Sequence, residues 1–231
     1  MATARIGWDA LFDIGDAPLP HDISHNNYII TTLSRYWGET SANNKKMRNA
    51  QITRCDEFYT RRETIEKEME HWPDLFKSKT VYCNCDTDDS EFVKYFKDNF
   101  TRLGLKKLIY SNYSEHTQGQ YTIYSPESII TSSLNGNGAF DSDECIELLR
   151  HSDIVVTNPP FSLQRYYQLL MFNERKDYLI LGNMNTAVTP FLKDLIGSYS
   201  HFGYSIRSGG VKFNIPCGME NTPNIQIIDG K

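Results

Sequence analysis

The sequence lacks a long apolar run, a basic and then apolar N-terminus, and a dense set of cysteines. A membrane-spanning helix needs roughly 20 consecutive apolar residues, so we expect no membrane span. A secretory signal peptide needs the basic-then-apolar pattern, so none is expected. The 5 cysteines are odd in number and scattered. They predict reduced thiols in a cytoplasm rather than a disulfide framework.

An excess of positive charge is also missing. The 231 residues carry 24 Lys and Arg against 29 Asp and Glu, a formal net charge of −5. This balance excludes a simple polycation that coats nucleic acid, although it leaves room for a local basic face. Hydrophobic residues make up 39% and aromatic residues 13% of the chain, which excludes a fully disordered protein.

The first 48 residues differ from the rest. Their acidic and basic side chains cancel, and turn-forming residues separate short apolar islands. We predict that residues 1–48 form an N-terminal extension of unknown role and that residues 49–231 form the main domain. A chain of this length is long enough to bury a sizeable core.

A regular alternation begins near residue 60. Thr60 to Glu63 has the pattern of a capping box, which predicts a helix start. Residues Thr80–Cys85 predict a buried strand. An apolar stripe from Phe92 to Leu103 predicts a helix that Gly104 ends, and Lys107–Asn112 predicts the next strand. Strand, helix and strand in this order predict a βαβ unit with parallel strands.

The second half continues the alternation. Ser142–Arg150 predicts a helix, the β-branched run Asp153–Thr157 a buried strand, Ser162–Phe172 a helix and Tyr178–Gly182 a strand. Weaker patterns predict a helix at Phe191–Ile196 and late strands at Val211–Ile215 and Ile225–Ile228. The whole pattern predicts an α/β fold with a doubly wound, mostly parallel sheet.

The tetrapeptide Asn158-Pro159-Pro160-Phe161 follows the strand Asp153–Thr157 directly. Two prolines fix φ and remove two donors, so a rigid turn is the simplest interpretation. Ligands of α/β sheets, however, bind at the carboxyl ends of the strands. The position therefore favours a functional interpretation.

The residue types suit one chemistry. The amino group of adenine is a poor nucleophile because its lone pair is delocalised into the ring. Two acceptors, the Asn158 side-chain oxygen and the Pro159 carbonyl, can take both N–H bonds and favour a pyramidal nitrogen. Pro160 helps to hold them in place before the substrate arrives. Phe161 offers an aromatic face on which a flipped base can stack.

The chain resembles the EcoRI-type family of adenine-specific DNA methyltransferases from about Asp56 to its C-terminus. The resemblance is carried by segments in the family's order: Asp56–Thr60, Val81–Asp86, Leu103–Ile109, Glu144–Leu149, Asp153–Leu163 and Leu181–Asn185. It implies a Rossmann-like methyltransferase sheet and an enzyme that transfers a methyl group from S-adenosylmethionine to adenine N6. The implied partner is double-stranded DNA, and the implied setting is a restriction-modification system or a phage, in the cytoplasm of a bacterium or an infected host.

The resemblance also implies cofactor-binding residues. They follow or precede the predicted strands and are Phe58, Tyr59, Thr60, Asn84, Cys85, Asp86, Ser111, Asn112, Phe140 and Asp141. Cys83 and Cys85 are equally well explained as two small buried residues. No pair of His or Cys residues has the spacing of a metal site, so we expect no metal.

Two departures from the family pattern keep an alternative open. Ala139 stands where the family tends to carry an acid that contacts the cofactor's adenine, and the chain ends soon after Ile225–Ile228, so that the catalytic domain looks cut short. The alternative is a truncated or degenerate relative that binds nucleic acid or a partner without turnover. A third interpretation keeps the chemistry but makes RNA or protein the acceptor, since Asn-Pro-Pro-Phe also occurs in such enzymes.

Overall fold

The computed structural model describes residues 2–5, 59–160, 163–182, 200–204 and 213–214. Residues Met1–Trp8 and Glu57–Lys231 form one compact unit, and Asp9–Asp56 form a second. The strands are β1 (Ala2–Arg5), β2 (Tyr59–Thr60), β3 (Thr80–Cys83), β4 (Lys107–Asn112), β5 (Gln120–Ser125), β6 (Ser128–Ser133), β7 (Ile154–Thr157), β8 (Asp177–Gly182), β9 (His201–Phe202) and β10 (Phe213–Asn214). The helices are α1 (Arg62–Met69), α2 (Glu91–Asp98), α3 (Phe100–Leu103), α4 (Asp143–Arg150) and α5 (Gln164–Asn173).

The main sheet has the strand order β6-β5-β4-β3-β7-β8-β1-β9. Its centre, β4-β3-β7-β8, is parallel, with Val81 opposite Leu108 on one side and opposite Ile154 on the other. The hairpin β5-β6 extends one side of the sheet with antiparallel pairing, and β1 pairs antiparallel with β8 and β9 on the other. The α/β prediction is thus confirmed as a mixed sheet.

Helices cover both faces of the parallel centre. Successive side chains of a strand point to opposite faces. Val81 and Cys83 of β3 pack against α1, α2 and α3, whereas Tyr82 packs against α4 and α5. Every residue of β3 and β7 is buried, as expected for parallel strands covered on both sides.

Local side-chain and backbone features mark the ends of several helices. The side-chain oxygens of Ser90 and Ser142 accept hydrogen bonds from the third residue of α2 and α4 and cap both helices. Gly104 ends α3 with φ of 63°, in the left-handed region that favours glycine. The apolar stripe predicted as one helix is divided at Asn99 into α2 and α3.

The predicted capping box at Thr60 is wrong. The N-cap of α1 is Arg61, which makes no side-chain capping bond, and Thr60 belongs to β2, paired with Phe213 of β10. Strand pairing with a distant segment has replaced the local cap. The strand predicted to run from Thr80 to Cys85 ends at Cys83.

The hairpin β5-β6 was not predicted. All six residues of β6 are exposed, so its sequence shows no alternation between core and solvent. Among the late elements, Phe213–Asn214 lies within the predicted strand Val211–Ile215. The predicted helix Phe191–Ile196 and strand Ile225–Ile228 lie outside the described residues.

Candidate active site

The sheet has a topological switch point between β3 and β7. The chain leaves β3 for β4 on one side, and β7 takes the place on the other side. Ligands of open α/β sheets bind in the crevice at such a point, outside the carboxyl ends of the strands. Asn84 to Asp86 follow β3 and Asn158 to Pro160 follow β7. The fold therefore brings both predicted groups to one edge.

Asp86 joins the two strands. Its carboxylate accepts a 2.5 Å hydrogen bond from the Thr157 hydroxyl, immediately before Asn158, and its backbone N–H donates to the Ser111 carbonyl at 3.2 Å. Burial raises the pKa of Asp86 from 3.8 to about 6, although hydrogen bonds from Thr157 and Ser90 lower it. The site thus holds a carboxyl group with a pKa of about 6, which is mostly ionised at pH 7.

Asn84 is also buried, with 1% of its surface exposed. The Tyr167 hydroxyl of α5 donates to Asn84 Oδ1 at 2.5 Å, and the Cys85 thiol lies 3.7 Å from the same oxygen. Asn84 Nδ2 is buried and has no hydrogen-bond partner among the residues that the structure describes. The site therefore contains a buried donor that is not used within this part of the protein.

The loop before α4 crosses the end of β4. Gly138 has φ of 77°, and a Cβ there would lie 2.2 Å from the Asn112 carbonyl oxygen, so only glycine permits this approach. Glu144 fixes the loop from α4 by accepting backbone N–H bonds from Asn135 and Gly136, each at 2.9 Å. These bonds hold the pKa of Glu144 below its ordinary value of 4.5.

The loop delivers Phe140 and Asp141 beside α5. Phe140 is buried, and its ring meets that of Tyr167 edge to face at 5.0 Å. Asp141 is exposed and accepts a hydrogen bond of 3.1 Å from the Tyr166 hydroxyl. Ala139 provides no acid, and its backbone N–H donates to Asn137 Oδ1 at 3.1 Å.

The predicted catalytic turn leaves β7 as expected. Asn158 is half-buried with its side-chain oxygen enclosed, Pro159 is buried and Pro160 is half-buried. Phe161 and Phe58 lie outside the described residues, and only the backbone of Tyr59 is described. Thr60 is buried, and its Oγ1 has no hydrogen-bond partner within the described ranges.

The cysteines near the site are free thiols. Cys83 and Cys145 are buried and Cys85 is half-buried. Burial raises the pKa of the Cys83 thiol well above its ordinary value, which suits a small packing residue. Within residues 59–160 and the other described ranges, no group of three or more His, Cys, Asp or Glu residues could hold a metal ion. The same part of the chain has no helix long and apolar enough to cross a membrane.

The site fits a ligand that carries both acceptors and donors, as S-adenosylmethionine does. Asn84 Nδ2 is a donor without a partner among the described residues, and the Asp86 carboxylate offers acceptor oxygens. The sequence did not single out Thr157 or Tyr167. Both lie on predicted elements, but their contacts span 71 and 83 positions, a separation that periodicity cannot detect.

A family model and three curated proteins that are similar to this chain are all described as methyltransferases. Residues 46–131 and 120–230 match the family described as adenine-specific methyltransferase EcoRI. Type II methyltransferase M.EcoRI of Escherichia coli is 43% identical over 175 residues, which cover 68% of this chain and 54% of that protein. Type II methyltransferase M.MgeORF184P of Mycoplasma genitalium is 40% identical over 141 residues, 61% of this chain and 44% of that protein.

A third relative agrees with these two. Type II methyltransferase M.MpnI of Mycoplasma pneumoniae is 42% identical over 140 residues, 60% of this chain and 44% of that protein. The chain thus spans about half the length of the curated relatives it matches. No solved structure matches it.

Proposed function

We propose that this chain, which belongs to the EcoRI family of adenine-specific methyltransferases, carries the catalytic part of an enzyme that methylates adenine N6 in double-stranded DNA. One observation supports this most directly. The Asn158-Pro159-Pro160 turn stands at the switch point, and Thr157 hydrogen-bonds the buried Asp86 across it. These two segments, to which the proposal gives the catalytic and cofactor-binding roles, lie where ligands of such sheets bind.

The Asn158 side-chain oxygen and the Pro159 carbonyl take the two N–H bonds of the adenine amino group in this proposal. Accepting both bonds localises the nitrogen lone pair, so that no strong base is required. S-adenosylmethionine, when bound, supplies an electrophilic methyl group. Pro160 keeps the acceptors in place, and Phe161 stacks on the flipped base, a contact worth ~1–3 kcal/mol per base.

The remaining predicted residues form the cofactor side of the same proposal. Asn84 donates, Asp86 accepts, and Phe140 and Asp141 border the cofactor from the loop before α4. Phe58, Tyr59, Thr60, Cys85, Ser111 and Asn112 complete this group. The complete sheet belongs to the doubly wound, Rossmann-like methyltransferase type. The setting is a restriction-modification system or a phage, in a bacterial or phage-infected cytoplasm, and no metal takes part.

A second candidate rests on Ala139. Its backbone N–H is taken up by Asn137 within the loop, and no acidic side chain stands at this position to hold an adenine ring. A degenerate relative that binds DNA or a partner protein without turnover would have this feature.

The test separates the two candidates. Binding of S-adenosylmethionine is measured by calorimetry for the wild type and Asn158→Ala, and methyl transfer is measured on unmethylated duplex DNA. We expect equal cofactor affinity in both proteins and a loss of turnover of about 100-fold or more in Asn158→Ala, because one acceptor is lost. An unchanged rate in Asn158→Ala contradicts the mechanism, and cofactor binding without transfer in the wild type favours the degenerate relative.

A further inference from the structure

The Asn84 amide is held from its oxygen side. The Tyr167 hydroxyl donates to Oδ1 at 2.5 Å, and the Cys85 thiol, a weak donor, lies 3.7 Å from the same atom. Both groups can donate to an amide oxygen, so Oδ1 is held on this side of the amide and Nδ2 lies on the other side.

The nitrogen side has no such neighbours. Asn84 is 1% exposed, and Nδ2 finds no acceptor within the described part of the chain. Buried donors in proteins are nearly always paired, because leaving one unpaired is costly. A donor that is buried and oriented but unpaired, at the carboxyl end of β3, is suited to an acceptor that a ligand brings.

Tyr167 has the features of a fixed support. It is fully buried, its ring packs edge to face against Phe140 at 5.0 Å, and it lies on α5, the next described helix after Asn158-Pro159-Pro160 in the chain. Burial raises the pKa of its hydroxyl well above 10.0, so the group remains a donor at any physiological pH. The ring accounts for the packing, and the hydroxyl group is engaged in the hydrogen bond with Asn84.

We propose that Tyr167 is a positioning residue for the cofactor: its hydroxyl fixes the Asn84 amide so that Nδ2 donates to an oxygen acceptor of S-adenosylmethionine. This inference rests on the proposed function, because it requires that cofactor at this edge of the sheet. It adds a specific role for a residue of α5, which connects the helix after the catalytic turn to the cofactor side.

The first test is a double-mutant cycle read by calorimetric binding of S-adenosylmethionine. Tyr167→Phe removes the hydroxyl and keeps the ring, and it should weaken binding about tenfold, the equivalent of one hydrogen bond. Asn84→Ala should weaken binding at least as much. Because Tyr167 acts through Asn84, adding Tyr167→Phe to Asn84→Ala should change the affinity by less than about twofold.

Tyr178→Phe is the matched control. Tyr178 is buried in the same apolar cluster, and its hydroxyl lies 3.2 Å from the Ser200 hydroxyl. The control loses a buried hydroxyl in the same way and should keep wild-type affinity. Equal affinity in Tyr167→Phe and wild type, or full additivity in the cycle, overturns the role of Tyr167. No binding by the wild type instead refutes the proposed function, on which this inference rests.

A second measurement needs no Tyr167 variant. The side-chain N–H resonances of Asn84 are identified in the wild-type spectrum by their loss in Asn84→Ala. Saturation with S-adenosylmethionine should move them, because Nδ2 gains an acceptor. Resonances that stay in place while calorimetry shows binding overturn the proposal.

Discussion

Asp86→Asn should stabilise the folded protein and weaken its binding of S-adenosylmethionine. The carboxylate is buried, and its pKa is about 6 in the folded state against an ordinary 3.8. At 1.36 kcal/mol per pH unit, keeping this charge buried above pH 7 lowers the free energy of unfolding by roughly 3 kcal/mol. Asparagine is neutral and keeps an oxygen for the Thr157 hydroxyl, so this penalty disappears.

The pH dependence has a definite sign. The folded state binds the Asp86 proton more tightly than the unfolded state, so the contribution of Asp86 to stability falls as pH rises from about 4 to about 6. The variant lacks this loss. Its advantage over the wild type should therefore be about 2 kcal/mol larger at pH 7.5 than at pH 4.5. Because the cost of burying an amide is the same at both pH values, it cancels in this comparison.

Urea unfolding followed by circular dichroism at the two pH values measures the effect. Asp89→Asn, which removes an exposed carboxyl nearby, supplies the baseline for loss of one negative charge. Calorimetry on the same samples should show weaker cofactor binding in Asp86→Asn. If the stability difference between Asp86→Asn and wild type does not change with pH, the pKa of Asp86 is not raised in the folded protein, and the reasoning fails.

Three further predictions concern the surroundings of the site. Gly138→Ala should lower the free energy of unfolding by about 2 kcal/mol or more, since the added Cβ would lie 2.2 Å from a carbonyl oxygen. Thermal unfolding measures this loss, and it should show little change for Gly136→Ala, where the atom nearest to the added Cβ is 3.5 Å away. Thr157→Val should raise the pKa of Asp86 above about 6 because it removes a donor to the carboxylate, and an unmoved carboxyl resonance in an NMR titration would contradict this. Glu144→Gln should speed hydrogen exchange at the Asn135 and Gly136 amides, whose N–H groups donate to the Glu144 carboxylate. In the wild type the carboxylate should protect these amides from exchange, and the protection should be lost as pH falls below the ordinary carboxyl range.

Much of the fold could be predicted because its signals are local. The β-branched run before Asn158, the helix predicted at Ser142–Arg150 and the glycine after α3 each depend on residues within one or two turns of chain. The Asn158-Pro159-Pro160 turn was found in the same way, because its chemistry is contained in adjacent residues. The alternation of strands and helices then predicted that the central strands are parallel.

Other features were decided by contacts between distant segments. Thr60 has the residues of a helix cap around it, yet it pairs with a strand more than 150 positions away, because a backbone ladder and a side-chain cap compete for the same residue. The exposed strand β6 carries no core pattern, and its hydrogen bonds to β5 alone place it in the sheet. Sequence periodicity detects burial, so it cannot detect a strand whose side chains are all exposed.

The sequence by itself pointed to the Asn158-Pro159-Pro160 segment, predicted the strand that precedes it and indicated the family to which the chain belongs. Only the tertiary structure decided how the site is held. The Thr157 hydroxyl meets Asp86 and the Tyr167 hydroxyl meets Asn84 because adjacent strands and the helix packed on them bring together residues 71 and 83 positions apart. In the sequence, Tyr167 cannot be distinguished from any other tyrosine on the buried face of a helix. The contact between the Tyr167 hydroxyl and Asn84 exists only in the folded protein.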